Sequence, residues 1–202
     1  MPNIADNFGE YYAKDRATWR KWLQKHHQTA DGIWLVYYKK DSGKTRVSYN
    51  DAVEEALCYG WIDSTLRPID DLSYKQLFMP RKPKSGWSKL NKDRVEKLQK
   101  EGLMTAAGLE KIELAKTHGT WGKLDHIESF TIPPDLEKAF TTNKAAKKYY
   151  ETLSTWRKKY LLYWLGNAKR EETRQKRIED IIQSLNEEKL PDHFTRLAKK
   201  KS

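Results

Sequence analysis

The stretch ALCYGWIDSTLRPIDDLSYKQLFMPRKPKSGWSKLN, residues 56–91, decides the fold. It contains the single cysteine, two of the eight tryptophans and three of the seven prolines. Gly60 stands where a left-handed helix C-cap belongs, after an apolar face made by Ala52, Val53, Ala56 and Leu57. Ser48 followed by Asp51 opens that helix in the manner of a capping box. Residues 61–66 and 73–78 then read as two strands, joined through Pro68, Ile69, Asp70 and Asp71, a turn by composition. Residues 80–86, PRKPKSG, form a loop, because Pro83 pushes Lys82 out of helical geometry. Ser88 is a good N-cap for a helix running to residue 101, ended by Gly102.

Upstream, residues 15–28 place Trp19, Trp22, Leu23 and His26 at i, i+3, i+4 and i+7, one face of a helix. Residues 33–40, IWLVYYKK, are β-branched and aromatic and predict a strand. DSGKT at 41–45 predicts a turn. It is no phosphate-binding P-loop, since Tyr38 stands where the first glycine is needed. Downstream, Thr105 caps a helix with Leu109, Ile112 and Ala115 toward the core, closed by His118 and Gly119. Residues 120–134 read as an irregular connector. From 135 to 187 strand signals vanish, and three or four helices are predicted. Asn143 and Ser154 look like N-caps. Trp156, Tyr160, Tyr163 and Trp164 form an aromatic stripe, and Ile178, Ile181, Ile182 and Leu185 share a face of the last helix.

The sequence therefore predicts an α+β protein: a small antiparallel sheet with packed helices, followed by a helical C-terminal region. The expected divisions are an N-terminal α+β domain over 1–125, a helical region over 130–190 and a basic tail over 191–202. A 202-residue chain buries about 70% of its unfolded surface and needs no disulfide. Aromatics make up 12% of it, which predicts a core filled by rings. One cysteine excludes an internal disulfide and a four-cysteine metal site. The five histidines show no i, i+4 pair and no HExxH, so no metal and no cofactor are expected. Cys58 reads as a small buried hydrophobe, and no catalytic set is apparent. MPNIADNFGEYY lacks the basic start and apolar run of a signal peptide, and no run is long enough to be a transmembrane segment, so a cytoplasmic location is expected.

The formal net charge is +11, and the basic excess grows toward the C-terminus, which favours anionic partners. Two places concentrate the chemistry for that. Arg81, Lys82 and Lys84 supply charge, Ser85, Ser88 and Asn91 lie at a helix start whose N–H groups favour an anion, and Trp87 offers a flat wall for stacking. The alternative is a scaffold loop in which Trp87 plugs the core. Asp63, just after Trp61, supports this site if it orients an arginine such as Arg81. The second place is AKREETRQKR at 168–177. There Arg170, Arg174 and Arg177 share one helix face, able to grip phosphate or to staple the C-terminal helices onto acids of the front half.

At these residues the chain resembles the YdeI/OmdA family, the bacteriocin-protection, YdeI or OmpD-associated proteins. The resemblance is carried by ALCYGWIDS at 56–64, PRKPKSGWSKLN at 80–91, and Gly102-Leu103-Met104 with Ala107-Gly108 after it. YWLGNAKREETRQKRI at 163–178 completes it. Residues 130–190 are similar to the family's OmdA domain. The resemblance implies protection against bacteriocins or cationic peptides and association with a porin, and it implies no catalytic residues. The expected function is a non-enzymatic cytoplasmic stress or envelope-protection factor that binds an anionic small molecule or protein partner. Two other classes stand beside it: a nucleic-acid-binding protein, not favoured because the basic charge is interleaved with acids, and an enzyme acting on a phosphorylated or carboxylated small molecule.

Overall fold

Local chemistry sets most element boundaries in this computed structural model, which describes residues 4–194. The chain divides into two compact units, Met1–Leu124 and Asp125–Ser202. The expected basic tail lies outside the described residues from position 195 onward.

The first unit is α+β. In chain order it holds β1 (Glu10–Tyr12), α1 (Arg16–His26), β2 (Ile33–Tyr38), α2 (Tyr49–Cys58), β3 (Trp61–Pro68), β4 (Ser73–Pro80), α3 (Lys89–Lys100) and α4 (Ala106–Thr117). The caps explain the helix starts. Ser48 Oγ accepts the Asp51 amide at 3.0 Å and donates to the Asp51 carboxylate at 2.7 Å, a reciprocal cap. Ser88 and Thr105 accept from Asn91 N and Gly108 N in the same way. Gly60 ends α2 at φ +73°, and that left-handed turn redirects the chain straight into β3.

The sheet order is β1-β2-β4-β3. β2 and β3 both run antiparallel to β4, as the hairpin reading requires. β1 adds an edge strand parallel to β2, with Tyr11 opposite Leu35. Three residues, EYY, carry no periodic signal of their own; the pairing is supplied by β2. One sheet face and helices α1 to α4 enclose an aromatic core of Trp19, Trp61, Tyr37, Phe78 and Trp87. On the opposite face Trp34 and Leu77 oppose each other and pack with Ala5 and Phe8, while Trp34 Nε1 donates to Ala5 O at 2.8 Å. β2 is covered on both faces, which is why IWLVYY is continuously hydrophobic.

One expectation needs correction here. Leu109 does not face the core; it is 38% exposed, and Gly108, Ile112 and Ala115 make the buried side of α4. The reason is close approach: a Cβ on Gly108 would lie 2.3 Å from the Cys58 carbonyl oxygen, so α4 meets α2 on its glycine. The loop after β4 is buried at Arg81, which is 5% exposed.

The second unit is helical: α5 (Asp125–Glu128), α6 (Pro134–Thr142), α7 (Lys144–Thr152), α8 (Thr155–Gly166) and α9 (Glu171–Asn186). The connector is thus interrupted by one short helix. Leu136, Phe140, Tyr150, Leu161, Leu165, Ile178, Ile181 and Leu185 are buried within it. Asn143 and Ser154 occupy N-cap positions without a side-chain capping bond. The aromatic stripe of α8 faces outward: Trp156 is 64% exposed and stacks on Tyr160 at 5.5 Å, while leucines fill the buried side. No helix among the described residues is long and apolar enough to cross a membrane.

Candidate functional site

The candidate site is a groove of about 500 Å³ in the first unit, where the β3/β4 ladder runs out into the loop that leads to α3. Asp63 and Ser64 line it from β3, Arg81, Lys82 and Ser85 from the loop, and Ser88 and Asn91 from the start of α3. The apolar part of its wall is Ile62, Met79, Pro80 and Leu124.

Arg81 is fixed at the groove by three things. Its amide donates to Gly60 O at 2.9 Å, extending the strand pairing by one residue. Its Nη2 donates to Gly86 O at 2.5 Å, closing the loop on itself. Its guanidinium lies 3.7 Å from the centre of the Trp87 ring, close enough for a stacked cation–π contact. The remaining nitrogens, Nε and Nη1, are buried and have no acceptor among the described residues. Burial pulls the Arg81 pKa down to about 10, and the field of Asp63 opposes that shift. A charged guanidinium with two nitrogens unsatisfied leaves buried donors without the hydrogen bonds that would offset their lost hydration.

Trp87 is 2% exposed and does not line the groove. One side of it meets Trp121, ring centres 4.9 Å apart, and Arg81 covers the ring as well. It is the floor beneath Arg81, with no face left open for a ligand ring. Ser88 Oγ is engaged by the Asn91 amide, and Asn91 Oδ1 accepts from Arg94 Nη1 at 3.0 Å. These two residues are therefore held in place by the helix start. Asp63 accepts the Tyr49 hydroxyl at 2.8 Å and Gln76 Nε2 at 3.4 Å. The Tyr49 phenol is pushed up to about 12, by burial first and then by that carboxylate. Trp61 is core, donating from Nε1 to His27 O at 3.1 Å.

The arginines of α9 stand in the second unit and are already engaged there. Arg174 is bidentate to Asp135 of α6, with Nη2 to Oδ1 at 2.9 Å. Arg177 donates to Trp164 O and lies over the Trp164 ring at 5.1 Å. Arg170 is exposed at the start of α9. The staple that the sequence suggested is present, but its acid is in the same helical unit, not in the front half. Sequence reasoning brought Arg81, Ser85, Ser88, Asn91 and Asp63 to one groove. It missed Tyr49, which orients Asp63, and Leu124, which meets Gly86. Neither carries a motif, and both arrive by long-range packing.

A second cluster of charge holds α1 to α2. Glu55, with its side chain 2% exposed, accepts from Arg16 Nε and Arg20 Nη1, both at 2.6 Å. Glu54 joins Arg16 and Lys97. Cys58 next to it is buried, and burial pushes its thiol up to about 11, far from a reactive thiolate.

Comparison with known proteins finds two family models along the chain. Residues 11–111 match the model of a domain of unknown function, DUF8412. Residues 129–188 match the family described as Bacteriocin-protection, YdeI or OmpD-Associated. No curated protein and no solved structure matches the chain. The first match spans half of the chain and takes in the whole groove apart from Leu124, the second takes in α6 to α9, and the chain belongs to the DUF8412 family, with a C-terminal region similar to the YdeI/OmdA proteins.

Proposed function

We propose that this protein is a non-enzymatic binding protein of the bacteriocin-protection type, acting in the cytoplasm, whose groove at Arg81 holds a small anionic ligand. The observation that carries this reading is the buried Arg81 guanidinium, with Nε and Nη1 lacking acceptors beside a groove of about 500 Å³. An ordered donor pair of that kind gains more from an anion than from water, because charge-assisted hydrogen bonds are roughly twice as strong as neutral ones. Binding without chemistry is supported by the lining itself. Ser85 and Ser88 have no histidine beside them in the groove, and the Cys58 thiol is sealed in the core.

The test is a thermal-shift and calorimetric panel of carboxylates and inorganic phosphate. A ligand that binds only the folded chain raises the melting temperature by mass action. Arg81→Lys keeps the charge and removes the planar fork, so it should weaken the shift strongly. Ser85→Ala, at the groove edge, should weaken it without unfolding the protein. A panel in which no anion moves the melt removes the reading.

A further inference from the structure

The groove carries charge of both signs, and although the field of Asp63 reaches Arg81, the two form no ion pair with each other. Arg81 has two nitrogens without an acceptor among the described residues. Asp63 takes hydrogen bonds from Tyr49 and Gln76, both uncharged, and among the described residues no lysine or arginine forms an ion pair with it. The strand register sets the spacing of their backbone positions. Asp63 stands opposite Phe78, and Arg81 N reaches Gly60 O, three steps further along the ladder. At 3.3 Å per residue that is about 10 Å along the strands. Between them the wall is aliphatic, with Ile62 and Met79 paired across the strands and Leu124 beside the loop.

A lining of this kind selects against both simple classes of ion. A dianion such as a phosphate monoester would meet Arg81 and Lys82 at one end but the Asp63 carboxylate at the other, and in a partly dry groove that repulsion is weakly screened. A plain amine would meet Asp63 and be repelled by Arg81. Only a molecule with both signs, held apart by an apolar spacer, satisfies the two ends together. We infer that the groove takes a small zwitterion, its carboxylate at Arg81, its ammonium at Asp63 and its aliphatic body over Ile62, Met79 and Leu124. This rests on the anion-binding reading above and names the ligand class for the same groove. Asp63 is then the specificity-determining residue, and the Tyr49 hydroxyl holds it in place.

The experiment uses matched triplets on the full-length chain. Calorimetry compares 4-aminobutanoate, 5-aminopentanoate and 6-aminohexanoate with the butanoate, pentanoate and hexanoate of the same length and with the corresponding alkylamines. Three lengths are run so that a mismatch in spacing does not decide the result. At the best length the zwitterion should bind at least ten-fold more tightly than either matched ion. Asp63→Asn keeps the shape and the hydrogen bond from Tyr49, and it should erase the advantage over the acid while leaving acid binding in place. If the plain acids bind as tightly as the zwitterions, this inference fails and the anion-binding reading survives. If a zwitterion binds wild type and Asp63→Asn equally well, the ammonium is recognised elsewhere and the inference fails. If none of the nine compounds binds, and phosphate does not either, both readings fall.

Discussion

Arg81 and Trp87 form one stacked unit, the guanidinium carbon 3.7 Å from the ring centre and both side chains almost fully buried. The pair explains how a positive charge survives inside the first unit. The indole face offsets part of the lost hydration, and Gly86 O takes one N–H. Trp87→Ala should therefore do two things. It should destabilise the protein by about 3–5 kcal/mol, the usual cost of deleting a buried large aromatic. It should also release Arg81 from its fixed orientation and weaken any anion-induced shift in melting temperature. Urea unfolding checks the first effect. A cost below about 1 kcal/mol would contradict the packing described for Trp87.

Two glycines are held for different reasons, and alanine separates them. At Gly60 the backbone has φ +73°, and an added Cβ would meet Lys111 Cγ at 2.7 Å and Ala107 O at 3.0 Å. Gly60→Ala should cost about 1 kcal/mol from the dihedral and more from the crowding. At Gly108 an added Cβ would stand 2.3 Å from Cys58 O and 2.8 Å from Leu57 O, both backbone atoms. Lysine can move aside, but a helix backbone cannot do so without separating α2 from α4. Gly108→Ala should be the costlier of the two in chemical denaturation, and the reverse order would mean that the two helices are less tightly apposed.

What the sequence revealed and what it hid divide along the range of the interaction. Ser48, Ser88, Thr105 and Gly60 set helix ends by bonds within a few residues, so the local pattern was sufficient to place them. The groove was legible for the same reason: Arg81, Ser85, Ser88 and Asn91 are neighbours in sequence. Features set by distant partners were not legible. β1 exists because β2 offers an edge, Leu109 faces out because Gly108 is needed against Cys58, and Trp87 is closed off by Arg81 and Trp121. The aromatic stripe on α8 was legible as a shared face, but that three leucines, Leu161, Leu162 and Leu165, take the buried side of α8 is set by packing. Asp63 lies in between: its strand was readable, but its hydroxyl partner Tyr49 lies on a different element.

The Glu55 cluster gives a prediction about stability alone. Its carboxylate accepts from two arginines of α1, each about a third exposed, while Glu55 itself is buried. Both guanidiniums are held more firmly protonated than usual by that carboxylate, against the cost of their burial. Glu55→Ala should cost about 3 kcal/mol, because it leaves two partly buried cations facing each other without the acid between them. Glu55→Gln preserves the shape and one acceptor and should cost less. Equal costs for the two variants would show that packing, not charge, holds α1 against α2.

Acid dependence should appear in the second unit through Asp135. Arg174 of α9 donates to both carboxylate oxygens, and the hydrogen bonds from Arg174 hold the Asp135 pKa below its ordinary value of 3.8, against a smaller opposing effect of burial. A carboxylate whose folded pKa is depressed binds fewer protons in the folded state than in the unfolded one. Its stabilisation is therefore complete above the unfolded pKa and is lost as pH falls from about 3.8 through the folded value. Asp135 is 37% exposed, so solvent screening limits the pair to about 1 kcal/mol. Asp135→Asn should lower stability at neutral pH by up to that amount and should leave a shallower loss of stability below about pH 4. The check is the chemical-denaturation midpoint of wild type and variant between neutral pH and pH 3, followed by helical circular dichroism. If the two curves stay parallel through that window, the ion pair contributes nothing to the acid response, and the hold between α6 and α9 rests on the buried Leu136, Phe140, Ile178 and Ile181 instead.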